Sequence, residues 1–173
     1  MRVTRAVLPS MRERGRGTIV QMSSVGGVTA NPGHAIYATS KFALEGMSEA
    51  LASEVAALGI RVLVVEPGPF RTEFAGRSMA FSTPLAAYAG TPAGALRERF
   101  REQDGRQPND PRRAASIIVR AVDDPDAPLR LPLGPEAVDR IRDKLTRQLA
   151  DLERWAPTGR LTRFDDAGAA SEA

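Results

Sequence analysis

The chain has 173 residues, 42% of them hydrophobic, with 24 lysines and arginines against 21 acids and a formal net charge of +3. That is enough apolar material for one domain with a real core, and the basic excess is too small and too mixed with acids for a nucleic-acid footprint. The absence of cysteine excludes disulfides and thiolate chemistry, and a single histidine argues against a zinc site.

No apolar run approaches the roughly 20 residues of a membrane span. The N-terminal stretch MRVTRAVLPSMRERGRG is basic but has no apolar core of a secretory signal. The sequence therefore reads as a cytoplasmic protein with no membrane and no nucleic-acid partner.

Along the chain, Val3, Ala6, Val7 and Met11 have helical spacing and Gly15 and Gly17 stop the helix. TIVQM, residues 18–22, is a short buried strand. A loop rich in Gly, Ser, Asn and Pro fills 23–36. A helix follows over about 38–58, with Phe42, Met47, Leu51, Val55 and Leu58 near one face and Gly59 at its end. IRVLVV, residues 60–65, is a nearly continuous apolar strand of the kind covered on both faces, and it stops at Pro67-Gly68. Residues 69–110 are irregular apart from the charged helical piece LRERFREQ. Asp110-Pro111 starts a helix to about Val122, with an aspartate cap and proline at the first helical position. LRLPL, 129–133, is a last strand, and Pro132 makes it short or an edge. A final amphipathic helix spans 136–155 through Val138, Ile141, Leu145, Leu149, Leu152 and Trp155. The alternation is that of an α/β protein with parallel strands, whose ligand sites lie beyond the strands' carboxyl ends. The loops 23–36 and 67–76 sit there.

Tyr37 and Lys41, four apart, share one face of a helix start. A nearby ammonium favours phenolate over phenol, which suits a tyrosine to acid–base work. A hydroxyl from Ser24 or Ser23 on the preceding loop could hold a substrate oxygen beside it. On spacing alone, an ordinary surface pair is the simpler reading. The surroundings change that. A strand ending in Ser-Ser, thirteen residues from Ser24 to Tyr37, Tyr-x-x-x-Lys, a helix, a strand and Pro-Gly-x-x-x-Thr together closely resemble the short-chain dehydrogenase/reductase family. GTIVQMSS, YATSKFALEG and GIRVLVVEPGPFRTEF carry the likeness, which covers about residues 1–135.

The resemblance implies the carboxyl-terminal part of a Rossmann-type doubly wound parallel sheet, about three strands here, with flanking helices. Residues 1–156 would be this partial catalytic domain, with a substrate lid over about 73–108 and the terminal helix 136–155; 157–173 would be a poorly ordered tail. Carried over residue by residue, Ser24 would polarise the substrate oxygen and Tyr37 would move the proton. Lys41 would tune the tyrosine and hold the ribose of the nicotinamide coenzyme. Pro67 and Gly68 would shape the backbone beside the nicotinamide, and the Phe70 backbone and Thr72 would meet its carboxamide or phosphates. The implied coenzyme is NAD or NADP and the substrate a small alcohol or carbonyl compound. Ser23 is read as structural and His34 as at most a pocket residue, although a Ser24–His34 hydrolase can be imagined. Met79, Phe81 and Tyr88 fall where the family places its lid, as packing or specificity residues.

The family's Gly-rich turn, which presents backbone N–H groups to the pyrophosphate, has no counterpart in these residues; nor has its catalytic asparagine, which by spacing would fall before Met1. We therefore expect a truncated chain, inactive by itself. An unpaired edge on the serine strand leads us to expect a homo-oligomer. The rival expectation is a non-catalytic remnant acting as an interaction module.

Overall fold

A computed structural model describes residues 1–164; the end of the expected tail, 165–173, lies outside the described residues. The elements are α1 (Arg2–Arg14), β1 (Gly17–Met22), α2 (Ala35–Val55), β2 (Ile60–Pro67), α3 (Leu96–Gln103), α4 (Pro111–Asp123), β3 (Arg130–Leu133) and α5 (Pro135–Arg160). The chain forms two compact units, Met1–Ile141 and Arg142–Ala173. The first holds the sheet. The second continues the helix α5, which runs past Pro157 and so beyond the boundary read from the sequence.

The three strands are parallel in the order β1-β2-β3, with Gly17 to Met22 registered on Ile60 to Val65 and Val64 to Pro67 on Arg130 to Leu133. This is the α/β class the sequence implied. β2 is central, and its alternation decides the layers. Ile60, Val62 and Val64 join Ile19 and Val55, with Leu51 of α2 and Leu8 and Met11 of α1 packed against them. Leu63 and Val65 face the other way, with Leu133, towards Ala114, Ile117, Ile118 and Ala121 of α4. Val64 and Val65 are wholly buried, which contributes about 1.5–3 kcal/mol each. Helices on both faces make the sheet doubly wound. Pro132 is tolerated because β3 is a four-residue edge strand.

Local signals fix the ends. Gly15 and Gly59 adopt left-handed φ values of 62° and 71° after α1 and after the 3-10 turn that follows α2. Asp110 caps α4, its side chain accepting from the Arg112 N–H at 2.8 Å, with Pro111 as the first helical residue.

One expectation needs correction. The apolar residues expected on one face only partly define it: Leu51 and Val55 pack in the core, but Phe42, and Leu58 in the 3-10 turn after α2, are exposed, whereas Ala38, Glu45 and Ser48 are buried. The apolar residues of α2 are spread around the helix rather than gathered on one face, so periodicity could not choose the whole buried face, and small side chains bring it close to the sheet. Along α5, Leu145, Leu149, Leu152 and Trp155 are exposed in the same way.

Candidate active site

The polypeptide leaves β1 at Met22 and turns at once. Ser23 is buried and extends the sheet by one bond, its N–H donating to the Val65 carbonyl at 2.8 Å. Ser24 caps a short 3-10 turn over Val25–Gly27, and its Oγ accepts from the Gly26 N–H at 3.0 Å. The turn is anchored from α5: Val25 packs on Ala137 and Ile141, and Arg140 donates to Thr29 Oγ1 at 2.6 Å and to Asn31 Oδ1 at 3.0 Å. The 23–36 loop is thus held at both its start and its middle.

α2 begins at Ala35, so Tyr37 and Lys41 lie in its first two turns. Lys41 Nζ donates to the Met22 carbonyl at 2.8 Å and stands 5.8 Å from the centre of the Tyr37 ring. Desolvation lowers the Lys41 pKa, and the charge of Glu45 one turn on opposes that shift. Gly26 explains how serine and tyrosine share one space. A β-carbon there would stand 2.9 Å from Tyr37 Cε1 and 3.4 Å from Ser24 Oγ. Both groups therefore crowd the same side of that glycine, and only a hydrogen fits between them. Ser24, Tyr37 and Lys41 come together at the carboxyl end of β1, from a turn and a helix start 13 residues apart.

Pro67 and Gly68 end the neighbouring strand. The Gly68 N–H donates to Leu133 O at 2.9 Å, and a β-carbon at Gly68 would press on the Ala137 nitrogen at 3.3 Å. Beyond them the chain is stitched to the start of α4. Phe70 and Asn109 form an isolated parallel bridge, the Arg71 N–H donates to Asn109 O at 3.0 Å, and Asn109 Nδ2 donates to Pro69 O at 2.8 Å. The Phe70 side chain packs into the α4-side core. Thr72 sits on an exposed turn, its Oγ1 accepting from the Phe74 N–H at 3.3 Å.

Over Tyr37 lies an aromatic cluster. The rings of Tyr37 and His34 are 5.6 Å apart, those of Tyr37 and Phe74 5.9 Å, and those of His34 and Phe100 5.2 Å. Phe81 reaches Phe100 at 6.4 Å, with the Arg97 guanidinium above its ring. Desolvation, with a smaller push from Arg140, lowers the His34 pKa, so its imidazole is neutral at neutral pH. Tyr88 is exposed and Met79 only partly covered. Sequence reasoning placed Phe81 and Tyr88 in a lid but could not pair His34 with Phe100. It also missed a group behind the site. Glu66 and Glu45 are buried, and Arg130 reaches Glu45 Oε2 at 3.2 Å and Glu66 Oε1 at 3.7 Å. A glutamate closing the apolar run IRVLVV was the available signal.

Fold and site together define an α/β protein with a serine, a tyrosine and a lysine at the carboxyl ends of parallel strands. The model of the family described as short chain dehydrogenase matches residues 1–81. The oxidoreductase BOA17 of Botryotinia fuckeliana is 39% identical over 153 residues, 88% of this chain and 56% of that protein. The 3-ketodihydrosphingosine reductase of Bacteroides thetaiotaomicron is 39% identical over 133 residues, covering 76% and 49%. A crystal structure of a short-chain dehydrogenase from Streptomyces avermitilis superimposes with a TM-score of 0.84 at 45% identity, over 94% of this chain and 59% of that one. The chain belongs to the short-chain dehydrogenase family. It spans about half the length of the curated relatives it matches. Among the described residues no helix is long and apolar enough to cross a membrane.

Proposed function

We propose that these residues are the catalytic part of an NAD(P)-dependent alcohol or carbonyl oxidoreductase. The observation that carries the reading is the convergence of Ser24, Tyr37 and Lys41 around Gly26. In it, the Tyr37 hydroxyl gives a proton to the carbonyl oxygen during reduction and takes it back during oxidation. Ser24 Oγ, which accepts from Gly26 N–H, keeps its own proton to donate to that oxygen. The Lys41 ammonium stabilises the phenolate as it forms.

The residues present fit the nicotinamide-ribose end of the coenzyme. Lys41 spends one of its three N–H bonds on Met22 and keeps two for vicinal hydroxyls. Gly68, after Pro67, offers a stretch of backbone wall without a side chain. When bound, the coenzyme supplies or accepts the hydride; the chain's residues bind, orient and handle the proton. No Gly-rich phosphate cradle opens a helix among the described residues, so the 173-residue chain by itself is expected to hold the coenzyme poorly. The apolar roof of Phe74, Phe81 and Phe100 suits a substrate with an apolar carbon skeleton, and residues 73–108 would act as its lid. A cytoplasmic location and assembly into homo-oligomers remain part of this reading.

The test is Tyr37→Phe in an enzyme that contains these residues and turns over. Turnover should fall by at least about 100-fold with the melting temperature unchanged. Retention of most activity would remove the acid–base role from Tyr37.

A further inference from the structure

We propose that Glu45 and Glu66 form one proton-sharing carboxyl pair that sets the charge beside Lys41, making Glu45 a positioning residue for the Tyr37–Lys41 couple. Tyr37, Lys41, Glu45 and Glu49 recur every four residues and so line one stripe of α2, a turn apart. Val62, Val64 and Glu66 alternate along β2, and the last of these meets the stripe at Glu45.

The side chains of Glu66 and Glu45 are 1% and 8% exposed. Among the described residues, Glu45 Oε1 and both Glu66 oxygens find no hydrogen-bond donor. Arg130 contacts both carboxylates, but it also binds Glu49. Two buried carboxylates sharing one divided guanidinium cannot both stay charged cheaply. A proton on Glu66 turns an unpaired acceptor into a donor towards Glu45. Burial first, then the facing Glu45, raises the Glu66 pKa to about 7, against the pull of Arg130. The charged groups facing the pair are Lys41 and Glu49 from α2 and Arg130 from β3. On the remaining side Ser23 Oγ and Gly27 bring no charge.

The pair therefore changes its net charge near neutrality, and Glu45, whose charge favours the Lys41 ammonium, passes the change one helical turn along. The consequence for hydride-transfer chemistry rests on the role proposed above for Lys41. The charge coupling does not, and its test needs neither coenzyme nor substrate.

Lys41 and Lys144 are the only lysines, so lysine labelled at Cε and Nζ gives two NMR resonances, with Lys144 as the internal reference. The Lys41 signal should show a step near pH 7, ahead of its own titration. Glu66→Gln, which fixes the protonated shape, should abolish that step. Glu45→Gln should lower the pH at which Lys41 deprotonates. A wild-type signal without the step, a step that persists in Glu66→Gln, or a Lys41 midpoint unmoved by Glu45→Gln would overturn the proposal. Should Glu45→Gln fail to fold, the comparison of wild type with Glu66→Gln decides it. If the coupling behaves as expected while Tyr37→Phe keeps full turnover, the pair stands and the catalytic reading falls.

Discussion

Replacing Glu66 by glutamine should change how the stability of this chain depends on pH. A glutamate displaced from 4.5 to about 7 in the folded state still holds a proton at pH values where the unfolded chain has released it. Its contribution is therefore fully present below 4.5 and is lost as pH rises through 7. At about 1.4 kcal/mol per pH unit, the wild type should lose about 3 kcal/mol across that window from this group alone. Because the side chain is 1% exposed, solvent screening does not reduce the figure much. Glutamine keeps the shape and a donor towards Glu45 but cannot ionise. In a chain of this size the difference corresponds to about 6–12 °C in melting temperature. Thermal or urea unfolding of both proteins at several pH values between 5 and 8 reads it directly. The wild-type curve should fall away from the Glu66→Gln curve as pH rises. Parallel curves would mean that the carboxyl titrates alike in both states, and the buried-pair argument would be refuted.

Three further outcomes are expected. Gly26→Ala forces a methyl to within 2.9 Å of Tyr37 Cε1, so in an active enzyme it should cut kcat by about 10-fold or more through misplacement of the phenol, with little change in melting temperature; unaltered kcat would show that the ring is free to move. Arg140→Met removes two hydrogen bonds to the 23–36 loop and one positive charge near His34; proton NMR of the single histidine should show its pKa rising, and a fall or no change would sink that assignment. Calorimetry on residues 1–173 alone should detect no NADH binding at micromolar concentration, whereas a clear micromolar isotherm would place the coenzyme cradle within these residues.

The parts of the site that were legible in the sequence depend on short-range spacing. Tyr37 and Lys41 lie on one helix, Ser24 stands two residues beyond the preceding strand, and Asp110-Pro111 marks a helix start by local chemistry alone. β2 was legible because its apolar run is buried on both faces, and β1 because a short β-branched run follows glycine, although only Ile19 of it is buried. What escaped depends on distant partners. Arg130 meets Glu45 across 85 residues of sequence, and Phe100 of the charged helical piece LRERFREQ meets His34 from 66 residues away, a pairing that no local spacing marks. Leu51 and Val55 of the buried face of α2 were legible, but the rest escaped for a different reason: Ala38 and Ser48 are buried for their small size, and no hydrophobicity pattern marks that.

The stripe on α2 also limits which changes of chain length the family member could accept. An α-helix turns by about 100° per residue, so inserting one residue between Tyr37 and Lys41 would swing the ammonium away from the phenol and from the Met22 carbonyl. An insertion between Lys41 and Glu45 would leave the first pair intact and uncouple it from Arg130 and Glu66. The loop that carries Phe81 is under no such angular constraint. Length variation among descendants of this sequence should therefore accumulate in 73–108 and be shut out of 37–49, where the distance between groups is counted in whole turns.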